Sequence, residues 1–115
     1  MSDRTFRVYF NRRKQWFDVV LHEVTPSTFQ RHDGGRWGYW QEEIDRKSRR
    51  GKFGELHCVK SRCRHDVIAH ELLHLWIDWL NAKGIIITAK NEEPLVLLYD
   101  ELVRHFWKEY ERTNE

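Results

Sequence analysis

The hydrophobic pattern of this chain changes period at His65, and that change limits the folds available to it. Before it, residues 5–10 (TFRVYF) and 17–24 (FDVVLHEV) are rich in β-branched and aromatic side chains, as β-strands are. Residues 54–61 (GELHCVKS) alternate in the manner of a short strand. From residue 65 to about residue 81, apolar side chains recur at intervals of three and four, which predicts a helix. These apolar positions are Ile68, Leu72, Leu75, Trp76, Trp79 and Leu80.

A second helix is predicted to follow the first. Gly84 stands where the first helix would stop. Asn91 suits the N-cap of the next helix, because acidic residues and a proline follow it in what would be the first turn. This helix is expected to run to about Glu111. Its inner stripe would consist of Leu95, Leu98, Leu102, Val103 and Phe106. Strands followed by two helices predict a small α+β domain.

The length of 115 residues suits a single domain, spanning residues 1–115, with one core. We expect strands and loops in residues 1–62 and helices in residues 63–115. The Pro, Ser and Gly content of residues 25–43 predicts a long irregular loop with one short strand at 37–40. No apolar run is long enough to cross a bilayer, and the N-terminal segment lacks the apolar stretch of a secretory signal. We therefore expect a cytoplasmic protein without membrane contact.

The charge is distributed unevenly along the chain. Residues 1–64 hold 15 Lys and Arg against 8 Asp and Glu, a net charge of +7, whereas residues 65–115 hold 5 against 10, a net charge of −5. A basic region such as 46–64 could bind nucleic acid or an acidic partner. The alternative is a domain whose two halves attract each other.

The two cysteines, Cys58 and Cys63, are too few for a disulfide framework. They do not form a CxxC pair, which would favour a metal site. We expect them to be reduced structural thiols.

Residues 70–74 read HELLH, and this motif carries the clearest chemical signal in the chain. His70 and His74 are four residues apart on the predicted helix, so both imidazoles project from one face and can reach one cation. Glu71 can act as a general base on a water molecule whose pKa the metal lowers. The motif thus predicts a catalytic zinc site, although the same ligand types also accept manganese, iron or cobalt. The alternative is an amphipathic helix with polar residues on its exposed side.

A catalytic zinc site needs a third protein ligand. Glu92 and Glu93 lie 18 and 19 residues beyond His74. A second helix packed antiparallel to the first could bring a glutamate of its first turn to the two imidazoles. In isolation, acidic residues at this place also suit the helix dipole. The strand at 54–61 is expected to be an edge strand that forms a wall of the site, along which an extended peptide could pair.

The pattern formed by "GELHCVKSR", "VIAHELLHLWIDWL" and "NEEPLVLLYDELVRHFW" resembles small zincin-like proteins encoded by bacteriophages, of the gluzincin type. The resemblance covers about residues 54–107 and implies a minimal zincin fold, with a short sheet, an active-site helix and a C-terminal helix carrying the third ligand. It implies that His70 and His74 bind Zn²⁺ and that Glu92 completes the site, with Glu93 as its competitor. For a phage-encoded protein, the expected compartment is the host cytoplasm.

The sequence departs from the gluzincin pattern at two points. Four residues after Glu92, where that family commonly has an aspartate that holds a ligand histidine, this chain has Val96; Asp100 is the candidate for that role. The subdomain that brings an oxyanion-stabilising residue in larger peptidases is absent from this pattern. Tyr99 is our candidate for that role, because it is seven residues after Glu92 and so on the same helical face. His57 and Arg64 are the alternates.

Two functions are therefore expected from the sequence. The first is a zinc-dependent hydrolase, a small metallopeptidase that acts on a peptide or protein substrate with Glu71 as base. The second is a catalytically silent binding protein on a zincin scaffold, with a structural zinc and a host protein or nucleic acid held by the basic region 46–64. The glutamate beside the first histidine favours the enzyme, because a purely structural site does not need a base.

Overall fold

A computed structural model describes residues 3–23, 38–42 and 51–113, which form a four-stranded sheet and two helices. The strands are β1 (Arg4–Phe10), β2 (Gln15–His22), β3 (Gly38–Glu42) and β4 (Lys52–Val59). A short 3-10 turn (Lys60–Arg62) leads into helix α1 (His65–Lys83), and helix α2 (Glu92–Thr113) follows. The α+β prediction is confirmed. Neither helix is long and apolar enough to span a lipid bilayer.

The sheet has the order β1-β2-β4-β3. β1 and β2 are antiparallel, β2 and β4 are parallel, and β4 and β3 are antiparallel. Since β4 is hydrogen-bonded on both sides, the prediction of an edge strand at 54–61 is wrong. The alternating sequence suggested a strand with one exposed face. In the structure nearly every residue of β4 is buried, as in a strand covered on both faces. The edge strand beside β4 is β3, which corresponds to the short strand predicted at residues 37–40.

Both helices pack on the same face of the sheet, where the inward side chains of the strands form the core. α1 packs against β3, and the Trp40 indole Nε1–H donates a hydrogen bond of 3.2 Å to an Asp78 oxygen. α2 packs against β1, with the Phe6 and Phe106 ring centres 5.7 Å apart. Because side chains alternate along a strand, the residues between the inward ones lie on the opposite face, which we call the outer face.

The two helices are antiparallel. The ring of His65 lies 4.2 Å from that of Trp107, and the ring of Trp76 lies 5.7 Å from that of Tyr99. The two helices therefore run in opposite directions, with the start of α1 beside the later part of α2. This is the arrangement that could bring a glutamate of α2 to the HELLH motif, and its register determines which residues of α2 lie beside the motif.

The connection between the helices has a defined hydrogen-bond pattern. α1 ends at Gly84, whose left-handed backbone (φ of 67°) lets its N–H bond to the carbonyls of Asn81 and Leu80. Asn91 occupies the N-cap position of α2, as predicted, but its side chain turns back to the connector. Its Oδ1 accepts the Thr88 N–H at 2.7 Å, and its Nδ2 donates to the Ile86 carbonyl at 2.9 Å. Asn91 thus fixes the connector, and with it the start of α2.

Candidate metal centre

The two histidines of the HELLH motif lie together on the exposed face of α1. Their Nε2 atoms are 3.1 Å apart, and their ring centres are 4.7 Å apart with the planes at 75°. Zinc binds imidazole nitrogen at about 2.0–2.1 Å, so two such ligands of a tetrahedral ion are about 3.3 Å apart. His70 and His74 therefore fit a shared ion with a shift of only a few tenths of an ångström.

Glu71 lies beside this pair but differs from it in environment. Consecutive residues of a helix are rotated by about 100°, so Glu71 points toward the flank of α1 that faces β3. Its side chain is 4% exposed. The Glu71 side chain lies against Gly38 at the start of β3, where a Cβ would be 3.4 Å from the Glu71 Cγ. The acidic member of the motif is thus held in a dry position beside two accessible imidazoles.

Neither Glu92 nor Glu93 joins the histidine pair in the structure. Among residues 3–23, 38–42 and 51–113, no three His, Cys, Asp or Glu side chains lie close enough together to hold a metal ion. The register of the helices gives the reason. Tyr99 lies opposite Trp76, so Glu92, seven residues earlier in the antiparallel helix, is expected opposite the last turn of α1, about two turns beyond His74. Both glutamates are exposed there.

Tyr99 and Asp100 lie closer to the level of the motif than Glu92 does. Burial raises the pKa of the half-buried Tyr99 above its ordinary value, and Asp100 adds to this. The phenol therefore stays protonated at neutral pH and keeps its hydrogen-bond donor. Asp100 is exposed and lines a groove of about 750 Å³ together with Ala69 of α1. The lining of this groove includes Ala69, which precedes His70, but neither histidine of the pair.

The two alternates for the oxyanion role lie elsewhere. Arg64 immediately precedes α1, is exposed, and has its Nε 3.5 Å from an oxygen of Asp66. His57 is on the outer face of the sheet, stacked on Tyr39 with ring centres 4.4 Å apart and planes at 6°. The structure does not bring His57 to the histidine pair, because its neighbours in β4 face the core with α1.

The outer face carries a row of polar contacts that the sequence analysis did not identify. His57 Nδ1 lies 2.8 Å from His22 Nε2, and His57 Nε2 lies 3.1 Å from Glu55. His22 in turn approaches Asp3 at 3.1 Å. The only sequence signal was the alternation in two strands, and the parallel register of β2 and β4 that joins them could not be read from it.

The two thiols lie on either side of the short 3-10 turn, with Cys58 near the end of β4 and Cys63 just before α1. Both are free, with Cys58 buried and Cys63 partly exposed. Hydrogen bonding to Cys63 and burial raise the pKa of Cys58, and the Glu71 carboxylate adds to this. The pKa of Cys63 is lowered, first by its hydrogen bond with Cys58 and also by one with Tyr110. The effect of the Glu71 charge on the pKa of Cys58 is electrostatic and smaller than those of Cys63 and of burial.

The described part of the basic region is largely paired internally. The Lys52 Nζ is buried and lies 2.9 Å from Glu55 and 3.5 Å from Asp18. The Lys60 Nζ lies 2.9 Å from Glu23. Residues 46–50 lie outside the described residues, and the predicted contact of region 46–64 with nucleic acid or an acidic partner stays a prediction.

Comparisons with models of known protein families, with curated proteins and with solved structures find no match to this chain. The groups at this centre are two imidazoles spaced for a shared cation and a buried glutamate one residue along, and Tyr99 of the neighbouring helix contacts Trp76, two residues beyond His74.

Proposed function

We propose that this chain is a zinc-dependent hydrolase, and specifically a small metallopeptidase that cleaves peptide bonds. The observation that carries the proposal is the 3.1 Å separation of the His70 and His74 Nε2 atoms on the exposed face of α1. A pair of exposed imidazoles at this distance suits one shared metal ion. The neighbouring glutamate adds a group that hydrolysis requires and a purely structural metal site does not.

His70 and His74 would hold the zinc ion through their Nε2 atoms. A bound zinc ion would lower the pKa of water and polarise a carbonyl oxygen. Glu71 would accept the proton of the attacking water and deliver it to the leaving amine. Its burial against β3 keeps the carboxylate in one orientation and in a low-dielectric environment, where such a proton transfer is most sensitive to its position.

Tyr99 is the proposed donor to the developing oxyanion. Its raised pKa keeps the phenol protonated at neutral pH, as a donor must be. Its ring contact with Trp76 limits the positions that the ring can take. Asp100, which follows it on α2, is the proposed support for a ligand histidine.

Glu92 is the proposed third ligand, with Glu93 as its competitor. Coordination by either residue requires the start of α2 to move toward His74, because the register of the helices now places it opposite the last turn of α1. Metal binding would then also change the connector that Asn91 holds. A zinc titration of Glu92→Ala and Glu93→Ala tests the third ligand separately from the imidazole pair.

The first experiment measures zinc content, by elemental analysis, of protein purified without a metal-affinity tag. Wild type is expected to hold about one zinc per chain, and His70→Ala and His74→Ala to hold none. His65→Ala is the matched control, because it removes an exposed histidine of the same helix outside the motif. A wild type that stays metal-free after zinc is supplied, or a His65→Ala variant that loses zinc equally, would contradict the proposal.

The second experiment separates the enzyme from the binding protein. Peptide libraries are incubated with zinc-loaded wild type and with Glu71→Gln, which keeps the shape of the side chain but removes the base. Glu71→Gln is expected to retain zinc and to lose turnover by about 10²–10⁴-fold. Zinc bound without any turnover by wild type would instead favour the catalytically silent scaffold.

A further inference from the structure

The hairpin formed by β1 and β2 concentrates positive charge. Residues 4–17 contain five Arg and Lys and no Asp or Glu. Three of these cations occupy the turn between the strands, where Arg12, Arg13 and Lys14 are all exposed. The function proposed above uses none of them. This surface also differs from region 46–64, whose described cations are largely paired.

Two of the arginines are stacked on aromatic rings of the hairpin. The Arg7 guanidinium carbon lies 4.5 Å from the centre of the Trp16 ring, and that of Arg13 lies 4.3 Å from the centre of the Tyr9 ring. Tyr9 and Trp16 are paired across the two strands, with ring centres 6.1 Å apart. Stacking holds a guanidinium flat and leaves its edge N–H groups directed outward, in the geometry that binds phosphate oxygens.

A carboxylate, Asp18, lies beside Arg7 on the outer face of β2. One of its oxygens lies 3.4 Å from the Arg7 Nε, and another lies 3.5 Å from the buried Lys52 Nζ. The side chain of Arg7 is about half exposed, and its guanidinium also makes a hydrogen bond with Tyr9, which raises the pKa of Arg7. Asp18 therefore orients Arg7 and leaves the cations of the turn free to act outward.

The backbone of the turn supports a role for its side chains. Asn11, Arg12 and Arg13 all have left-handed backbones, with φ of 51°, 55° and 65°. Glycine takes this conformation without strain, whereas arginine does not. Arg12 and Arg13 are exposed and neither belongs to the hydrophobic core, so core packing does not account for arginine at these strained positions. Strain of this kind is often retained where side chains have a function.

We propose that the outer face and turn of this hairpin bind single-stranded nucleic acid. The residues of this surface, the basic hairpin, are Arg7, Tyr9, Arg12, Arg13, Lys14 and Trp16. Cations that follow a backbone and flat groups on which bases can stack are the two elements of single-strand recognition. An acidic peptide would satisfy the cations, whereas a single strand also supplies one flat base for every phosphate to stack on the guanidinium and aromatic surfaces. Nucleic acid is therefore the better fit.

The test is fluorescence anisotropy with labelled dT20 and rU20 oligonucleotides across a range of salt concentrations. We compare wild type with Arg12→Gly/Arg13→Gly/Lys14→Gln, in which glycine suits the left-handed positions and keeps the turn foldable. This variant is expected to bind at least tenfold more weakly. Because three phosphate contacts are lost, the slope of log affinity against log salt should fall by about 2.

The matched control is Lys83→Gln/Lys90→Gln/Lys108→Gln, which removes the same charge from exposed positions elsewhere. It should bind within about twofold of wild type. Tyr9→Leu should weaken binding several-fold without changing the salt slope, since it removes a stacking surface and no charge. Equal affinity for dT20 and rU20 is expected, because the contacts are to phosphate and base planes.

Several outcomes would overturn the proposal. These are no binding of either oligonucleotide by wild type at low salt, an equal loss in the lysine control, or full competition by poly-glutamate at matched charge, which would indicate an acidic protein partner. His74→Ala should bind as wild type does, so a failure of the metal centre and a failure of the basic hairpin are separable.

Discussion

Gly38, on the edge strand β3, lies directly against the side chain of Glu71 on α1. A Cβ built on Gly38 would come within 3.4 Å of the Glu71 Cγ, 3.3 Å of a Val67 methyl group and 2.9 Å of the His57 carbonyl oxygen. No side chain fits there without displacing one of these atoms. The absence of a side chain at Gly38 thus lets β3 pack closely against β4 and against the proposed base, and the tightest contact of an added Cβ would be with the His57 carbonyl oxygen.

Gly38→Ala is therefore expected to destabilise the fold, because the new Cβ would push β3 away from the His57 carbonyl of β4, and Glu71, which packs against β3, would shift with it. Overpacking of this size costs about 1–3 kcal/mol of unfolding free energy, measured by urea denaturation. The turnover per folded molecule should also fall, since the base is displaced. Gly84→Ala is the control: it strains a left-handed residue, at about 1 kcal/mol, but no atom lies within 4 Å of the new Cβ. An equal loss of turnover in both variants would contradict the role of Gly38.

Lys52→Met is expected to lower stability in a way that depends on pH. The buried Lys52 Nζ donates to Glu55, and this hydrogen bond lowers the pKa of Glu55. A lowered carboxyl pKa stabilises the fold above the unfolded-state pKa, about 4.3, and this contribution disappears as pH falls through the folded-state pKa. We expect a loss of about 2 kcal/mol at pH 7 that shrinks below about pH 4.

The control for this prediction is Lys60→Met, which removes a cation whose pair with Glu23 is more exposed. Urea unfolding at pH 7 and at pH 3.5 should show the smaller loss in this variant. A deficit of Lys52→Met that is the same at both pH values would mean that packing of the lysine stem, and not its charge, stabilises this part of the sheet.

The two thiols are expected to react differently. The lowered pKa of Cys63 gives it more thiolate at neutral pH, whereas Cys58 is buried and its pKa is raised. Iodoacetamide at pH 7 should give a single adduct, located at Cys63 by peptide mass spectrometry, with a second adduct only in urea. Tyr110→Phe removes a hydrogen bond that favours the thiolate, so the pH midpoint of the reaction should rise. Faster modification of Cys58 in the folded protein would refute this assignment.

Asn91→Ala should loosen the connector between the helices. The side chain makes two hydrogen bonds, to the Thr88 N–H and the Ile86 carbonyl, and their loss is expected to cost about 1–2 kcal/mol. Asn81→Ala, at an exposed position near the end of α1, is the control and should change stability by less than about 0.5 kcal/mol. If Glu92 binds zinc, the Asn91 variant should also change zinc affinity, measured by calorimetry.

The helices were the most predictable part of the fold. The apolar interval of α1 depends on contacts within a few turns, so residues 65–81 closely match the observed His65–Lys83, and Gly84 ends the helix as expected. The strand order was not predictable. Alternation in residues 54–61 shows that the segment is a strand, but pairing of β4 with both β2 and β3 depends on residues far apart in sequence.

The candidate site could likewise be predicted only in part. The spacing of His70 and His74 follows from helix geometry alone, and the structure gives the expected proximity. The distance from this pair to Glu92 depends on how far one helix slides along the other. That register is set by ring contacts such as Trp76 with Tyr99, which the pattern of apolar residues does not specify.

β4 is the last strand in the sequence, yet it lies inside the sheet between β2 and β3. During synthesis the β1–β2 hairpin can form as soon as it leaves the ribosome. β3 pairs with β4 in the described structure, so it can join the sheet only after β4 has been made. Assembly of the sheet therefore waits for a parallel, long-range pairing, which is a slow kind of step. Until then one apolar face of the hairpin lacks α1 and α2, and a nascent chain stalled before residue 52 would be prone to aggregation.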